Sequence, residues 1–287
     1  MVIVSLISFM VFGLKLGIDF TGGSLLEVEF FVERPDNQFV NEALNEIGLT
    51  NTLVQPLGDT GMTIRLKEID ENTHQQILTT LKEKLKTENS PEIILEEKQF
   101  DSIGPTIGKE LKNKSIWALI IVGIAIVTYV AWAFRKVSKP VASWKYGLIV
   151  TIALLHDVII VVGAFSLLGR FYNIEVNAPF IAALLTIFGY SNNDTIVVFD
   201  RIRENLKKHH GKDFEEVVEN SISEVIVRSI NTSFTVLMAL LAIFVFGGRS
   251  ISDFTLALII GVIIGTYSSI FLASPLLVVW EKLAHKK

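Results

Sequence analysis

The sequence predicts a polytopic α-helical membrane protein that carries one small α+β domain outside the bilayer. Three observations predict it. Half of the 287 residues are apolar and the mean hydropathy is +0.49, high for a chain that must keep a hydrated surface. Five apolar stretches, residues 116–134, 146–168, 178–199, 229–246 and 254–280, have the length that a hydrocarbon core of about 30 Å demands. Ahead of them lies a polar block, residues 20–114, with 17 acidic and 10 basic residues.

The elements follow in order. Residues 1–14 are apolar but few, and Lys15 comes directly after them. They lack the basic front and the small-residue cleavage site of a signal peptide. Residues 1–19 therefore read as a first span whose opening turns are missing, which makes six spans in all. In the polar block, Leu26, Val28, Phe30 and Val32 alternate with Glu27, Glu29 and Phe31, the period of a strand. Residues 36–47 place Phe39, Val40, Ala43, Leu44 and Ile47 on one side of a helix. Residues 52–57 and 62–66 are short strands around Gly58-Asp59-Thr60-Gly61, which is hairpin-turn chemistry. A second helix over residues 71–86 and a strand over 93–100 complete the order βαββαβ, the ferredoxin-like split motif. With no cysteine in the chain, this domain has to be held by its own core.

Orientation follows from Lys and Arg near the ends of spans, which favour the cytoplasmic side. The loop with Arg135, Lys136, Lys139 and Lys145, the segment 200–228 and the C-terminal tail together hold thirteen basic residues, against Arg170 and Arg249 in the alternate loops. Residues 20–114 are thereby expected outside and both termini in the cytoplasm, with residues 115–287 forming a five-span unit. Segment 200–228 is amphipathic: Phe214, Val217, Val218, Ile222, Val225 and Ile226 recur at helical spacing beside Glu215, Glu216 and Glu219. It is expected to lie along the inner membrane face.

Ionisable side chains inside spans carry the chemical information, because each costs about 2.5–3.5 kcal/mol at a helix centre on insertion scales. Three places have them: His156-Asp157 in the third span, Asp194 in the fourth, and Arg228 at the start of the fifth. Asp194 stands among Ser191, Asn192, Asn193 and Thr195, more polarity than one helix contact requires, and reads as a proton carrier rather than a packed polar residue. A movable Arg228 beside it would switch it between proton-holding and ionised states, although an Arg at that position also snorkels to the interface. His156 and Asp157 point about 100° apart on a helix, so a relay and a structural hydrogen bond both remain open. Gly261 and Gly265 form a G-x-x-x-G pair for close helix packing. Gly22-Gly23, after Asp19, reads as a turn needing positive φ, with Asp19 placed to cap nearby amides. The chain has no Walker loop, HExxH or nucleophile elbow, and no basic aromatic patch for nucleic acid.

Two longer motifs carry a resemblance. Residues 17–23, Gly-Ile-Asp-Phe-Thr-Gly-Gly, and residues 189–205, which run from Gly189-Tyr190-Ser191-Asn192-Asn193-Asp194 through Asp200-Arg201 to Asn205, resemble the SecD/SecF family of protein-export subunits. Leu155-His156-Asp157 and residues 228–233 match as well, so the likeness covers essentially the whole chain. The resemblance implies a six-span fold related to the resistance-nodulation-division exporters. It also implies a SecD partner, action at the SecYEG channel on translocating preprotein, and a proton path holding the positions of Asp194 and Arg228. Each charge crossing the membrane yields about 2.3 kcal/mol per 100 mV, and moving a polypeptide needs no bond chemistry. No cofactor other than protons is implied, the role is not that of an enzyme, and lipid is the remaining partner. Two features depart from the family: Asn192 replaces an apolar residue, and the basic leader before the first span is missing. Two other classes compete. An intramembrane aspartyl protease would use Asp157 and Asp194 as a dyad, but the G-x-G-D context is absent. A small-molecule exporter would need larger outer domains.

Overall fold

The computed structural model describes residues 1–86, 94–134, 143–208 and 213–285, except for the side chains of residues 143, 249, 250, 284 and 285. The chain divides into two units, Leu16–Lys114 and Met1–Lys15 together with Ser115–Lys287.

In the smaller unit a short helix α2 (Ile18–Thr21) precedes strand β1 (Gly23–Phe30), helix α3 (Asn37–Glu46), strands β2 (Leu53–Leu57) and β3 (Gly61–Leu66), helix α4 (Glu71–Leu85) and strand β4 (Leu95–Ile103). The four strands form one antiparallel sheet in the order β2-β3-β1-β4. Leu26, Val28 and Phe30 alternate toward the core as their period requires, and meet Met62 and Ile64 of β3. Val40, Ala43 and Leu44 of α3 and Ile77 and Leu81 of α4 bury the apolar stripes of both helices in the same core.

The Gly-Gly pair opens β1 and needs both glycines. Gly22 has φ of 74° and a Cβ there would stand 2.7 Å from the Pro105 Cα; Gly23 has φ of 125° and its Cβ would stand 2.7 Å from the Leu66 carbonyl oxygen. Any other residue at either position is strained and obstructed.

Helix α4 starts on a capping residue, with the Thr73 N–H donating to Asp70 Oδ1 at 3.0 Å. Hydrogen bonds from Thr73, side chain first and backbone second, hold the Asp70 carboxyl below its ordinary range. A depressed carboxyl contributes stability above its unfolded value and loses it as pH falls through its folded value. Asp70→Ala is therefore expected to speed amide exchange at Thr73 severalfold at neutral pH, and acidifying the parent protein below the ordinary Asp range should produce the same fraying.

The larger unit is helical: α1 (Val2–Phe12), α5 (Pro105–Ala133, from Ser115 onward), α6 (Ser143–Tyr172), α7 (Ala178–Lys208), α8 (Phe214–Phe246), α9 (Arg249–Ser268), a π-helical turn (Ser269–Ala273) and α10 (Ser274–His285). Among the described residues four helical stretches are long and apolar enough to cross a membrane: α5, α6, α8, and the run Ile251–Leu283 through α9 and α10. The stretch 178–199 expected as a further span lies in α7. That helix is long enough at 31 residues, but its polar residues 189–194 lower its apolarity. Helix α1 is apolar and 11 residues long.

Polarity in these helices is arranged inside out. Helix α1 buries Ser5 and Ser8 and exposes Ile3, Val4, Ile7 and Met10; α8 buries Ser229 and Ser233 and exposes Phe234, Met238 and Phe246. Apolar helices surrounded by lipid pack in this way, because small residues allow close approach and lipid receives the large apolar side chains. At the α1–α6 seam Gly163 lies against the Ser5 backbone. Ser8 Oγ donates to the Gly163 carbonyl at 3.3 Å and Ser166 Oγ donates to the Ser8 carbonyl at 2.9 Å.

Segment 200–228 differs from expectation. It is the meeting of two long helices, with α7 unbroken to Lys208 and α8 beginning at Phe214. Phe214, Val218 and Val225 are buried in one cluster with Val198, Phe199 and Ile202. The apolar stripe that suggested a helix lying on the membrane is covered by protein instead. Polar side chains clasp the hairpin: Arg201 bonds Glu224 as well as Glu204 (2.6 Å), and Asn205 Nδ2 donates to Ser221 Oγ at 3.0 Å and Glu224 Oε2 at 3.1 Å. Asp200 pairs with Arg203 at 3.2 Å on the outer side of α7. Of the basic residues that set the expected orientation, Arg135, Lys136, Lys139, Lys212, Lys286 and Lys287 lie outside the described residues.

Candidate functional site

Asp157, midway along α6, is fully buried and accepts from three directions. His156 Nδ1 lies 2.9 Å from Oδ1, while Ser191 Oγ of α7 and Ser268 Oγ of α9 donate to Oδ2 at 2.5 and 2.9 Å. Adjacent side chains diverge on a helix, but the Asp157 carboxylate reaches both the neighbouring imidazole and the hydroxyls of two other helices. The polar chain continues through the Ser191 carbonyl, which accepts from Thr195 Oγ1 and Ser269 Oγ, each at 3.2 Å. Those two hydroxyls are 2.9 Å apart.

Asp194 is buried on another side of α7, next to Ser233 of α8. Ser233 Oγ accepts from Tyr190 Oη at 3.0 Å and stands 2.6 Å from Thr266 Oγ1 of α9. The Thr266 hydroxyl is 2.8 Å from the Val262 carbonyl and can give its proton there, so the single Ser233 proton has two acceptors available, Thr266 and Asp194. Among the described residues the buried Asp194 Oδ2 has no hydrogen-bond partner, nor has Asn192 Oδ1 on the same helix.

Helix α9 brings the two carboxylate groups together in one bundle. Gly265 lets it approach α7 until a Cβ would stand 2.9 Å from the Ser191 Cβ, and Gly261 lies against the Ile187 side chain. The G-x-x-x-G pair thus serves helix packing, as its spacing predicts. Immediately afterwards the helix widens into the π turn, with Ser268, Ser269 and Ser274 all fully buried. A π turn inserts one residue into the helical register and changes which side chains face a neighbour. Ser268, Ser269 and Thr266 escaped the sequence reading. The signal was there, since hydroxyl residues are crowded at 266–269 in an otherwise apolar helix.

Other candidates lie elsewhere. Asn193 is exposed on the surface of α7, between its buried neighbours Asn192 and Asp194. Arg228 is exposed on α8, and among the described residues it makes no ion pair with Asp194. A straight helix turns the two sides of residue 228 and residue 233 about 140° apart, and it is Ser233 that faces Asp194. Asp19, Gly22 and Gly23 belong to the smaller unit. Among the described residues no hydrogen bond joins Asp157 to Asp194, and each has its own hydroxyl partners, unlike a dyad sharing one proton. Among the described residues no three His, Cys, Asp or Glu side chains converge on a metal position.

The residues of this site lie in a region shared with known proteins. The family model described as "Protein export membrane protein SecD/SecF, C-terminal" matches residues 81–283, and the "SecD/SecF GG Motif" model matches residues 7–30. The chain is 44% identical to the protein translocase subunit SecF of Thermobaculum terrenum, over 95% of this chain and 86% of that one. It is 40% identical to the SecF subunit of Anaerolinea thermophila, over 98% of this chain and 89% of the relative. The crystal structure of SecDF, a translocon-associated membrane protein from Thermus thermophilus, superposes with a TM-score of 0.81 at 32% identity. That match covers 98% of this chain, which spans only 36% of the SecDF chain's length. With a family model over more than two thirds of its length and relatives at this identity from end to end, the chain belongs to the SecD/SecF family of protein-export membrane proteins.

Proposed function

We propose that the chain is a SecF-type subunit of the Sec translocase, which works with SecD at the SecYEG channel and uses proton flow to promote preprotein translocation. The translocase part rests on similarity along the whole length to proteins named SecF. The proton part rests on one observation: two carboxylates, Asp157 and Asp194, are buried in a bundle of apolar helices amid hydroxyls, and among the described residues neither has a Lys or Arg partner. A buried carboxylate charge is costly, so a proton taken up by Asp194, or by either member of the His156–Asp157 pair, is the available means of neutralising each one. Hydroxyls that can donate to more than one acceptor connect these carboxylates to neighbouring helices.

In this reading α1 and α7 join the four apolar stretches as spans, giving six, with both termini in the cytoplasm of a bacterial inner membrane and residues 20–114 outside. The sheet order β2-β3-β1-β4, with α3 and α4 as crossovers, supports a ferredoxin-like outer domain acting on the emerging polypeptide. The role is coupling, without bond chemistry. Arg228 serves at the surface of α8, where a partner chain can reach it.

Translocation into inverted membrane vesicles tests the reading. Vesicles lacking the chain should translocate preprotein at the rate of complete vesicles whose proton gradient has been collapsed. If collapsing the gradient slows the deficient vesicles as much as the complete ones, the coupling does not pass through this chain.

A further inference from the structure

We infer that the groove between α5 and α6 holds one acyl chain of an anionic phospholipid whose headgroup sits at Trp144 and Lys145. The groove encloses about 600 Å³ and is lined by apolar side chains, among them Leu119 and Val127 of α5 and Leu148, Leu155 and Val158 of α6. Its two threonines offer a ligand nothing polar, because Thr128 donates to the Ile124 carbonyl and Thr151 to the Gly147 carbonyl, both at 2.8 Å. Gly123 on its wall has no atom within 4 Å of where a Cβ would stand, so the space continues to the α5 backbone. The lining therefore suits a hydrocarbon chain.

One end of the groove is marked by charge and aromatic rings. Trp144 lies at helical spacing from Leu148, Leu155 and Val158, on the stripe of α6 that lines the groove. Its exposed indole meets Trp280 edge to face at 5.7 Å, and the Lys145 ammonium stands 5.8 Å from the Trp280 ring. Trp rings beside a cation belong to the headgroup level of a bilayer. Among the described residues no carboxylate pairs with Lys145, whereas Lys282 on α10 is taken by Glu215. A cation that no described carboxylate neutralises, at the mouth of an apolar groove, complements a lipid phosphate. A partner helix would fill the groove but would leave that charge unmatched. The inference needs α5 and α6 to lie in lipid and is independent of how protons move.

Native mass spectrometry of the full chain, purified in detergent and stripped of lipid, tests it. The probes are phosphatidylglycerol and phosphatidylcholine with identical acyl chains. Phosphatidylglycerol is expected to bind with about fivefold preference, the contribution of one basic residue at a lipid surface. Lys145→Gln should bring that preference close to one while phosphatidylcholine binding and the melting temperature stay as they were. Gly123→Leu, whose side chain enters open space, should weaken both lipids severalfold. Equal binding of the two lipids by the parent chain, or unchanged lipid binding by Gly123→Leu, overturns the inference. Lipid binding unchanged but self-association altered by Gly123→Leu would identify a helix as the occupant and overturn it equally.

Discussion

Asp194→Asn is expected to leave a folded protein that has lost the whole gradient-dependent part of preprotein translocation. Asn matches Asp in volume, and its amide can still meet Ser233, so packing between α7 and α8 is kept. What disappears is a group that can take up and release a proton. Asp157→Asn is expected to act likewise, since one amide oxygen can accept from both Ser191 and Ser268 while the NH2 group turns to His156. The apolar substitutions separate coupling from architecture. Asp157→Leu leaves the buried Ser191 hydroxyl without its acceptor, at about 1–3 kcal/mol for an unsatisfied group, while Ser268 can turn to the Gly265 carbonyl. This variant should lower the melting temperature as well as activity. Measured in vesicles with and without an uncoupler, a purely structural role predicts that both Asn variants translocate as the parent does. Gradient-dependent translocation surviving in Asp194→Asn would remove that carboxylate from the proton path.

The second large effect belongs to the α1–α6 seam. Gly163→Leu is expected to displace α1 and to abolish accumulation of the chain in the membrane. The obstacle at this position includes the Ser5 backbone, which cannot rotate away, and Ser8 and Ser166 tie the same stretch of both helices by hydrogen bonds. Overpacking commonly costs about 1–3 kcal/mol and more where backbone must shift. Gly261→Ala makes the informative comparison, because there the obstacle is the flexible side chain of Ile187. That variant should be milder, and adding Ile187→Ala should recover part of its melting temperature. Gly123→Leu serves as the control for adding a large side chain to an apolar helix without a clash. Normal accumulation and melting of Gly163→Leu would mean that α1 does not pack on α6 as described.

Particular residues show how far the sequence could be read. The alternation of Leu26, Val28 and Phe30 and the stripe on Val40, Ala43 and Leu44 are local periodicities, and both place the same residues in the core that the structure buries. The Gly-Gly pair was legible as positive φ, but its second reason, the closeness of Pro105 and of the Leu66 carbonyl, comes from residues distant in sequence. Asp157 and Asp194 stood out because charge is rare in apolar helices. Their partners did not stand out, since a serine in a span has no such contrast and gains meaning only from the helix facing it. Asn193 shows the reverse, since polarity next to Asp194 in sequence faces the surface of α7, and Arg228, brought in through the resemblance, stands exposed on α8.

Composition and local periodicity by themselves determined that this is a membrane chain with one polar βαββαβ domain, and singled out a few ionisable residues in its apolar helices. Tertiary structure decided which of them share a site. Asp157, weakly marked by its sequence context, receives Ser191, Ser268 and His156, while Asp194 faces Ser233 with one oxygen unpartnered among the described residues. The physical reason lies in the rotation and spacing of packed helices. Gly261 and Gly265 bring α9 against α7, and the π turn at Ser269–Ala273 changes the register of its hydroxyls; neither effect is written in any one helix.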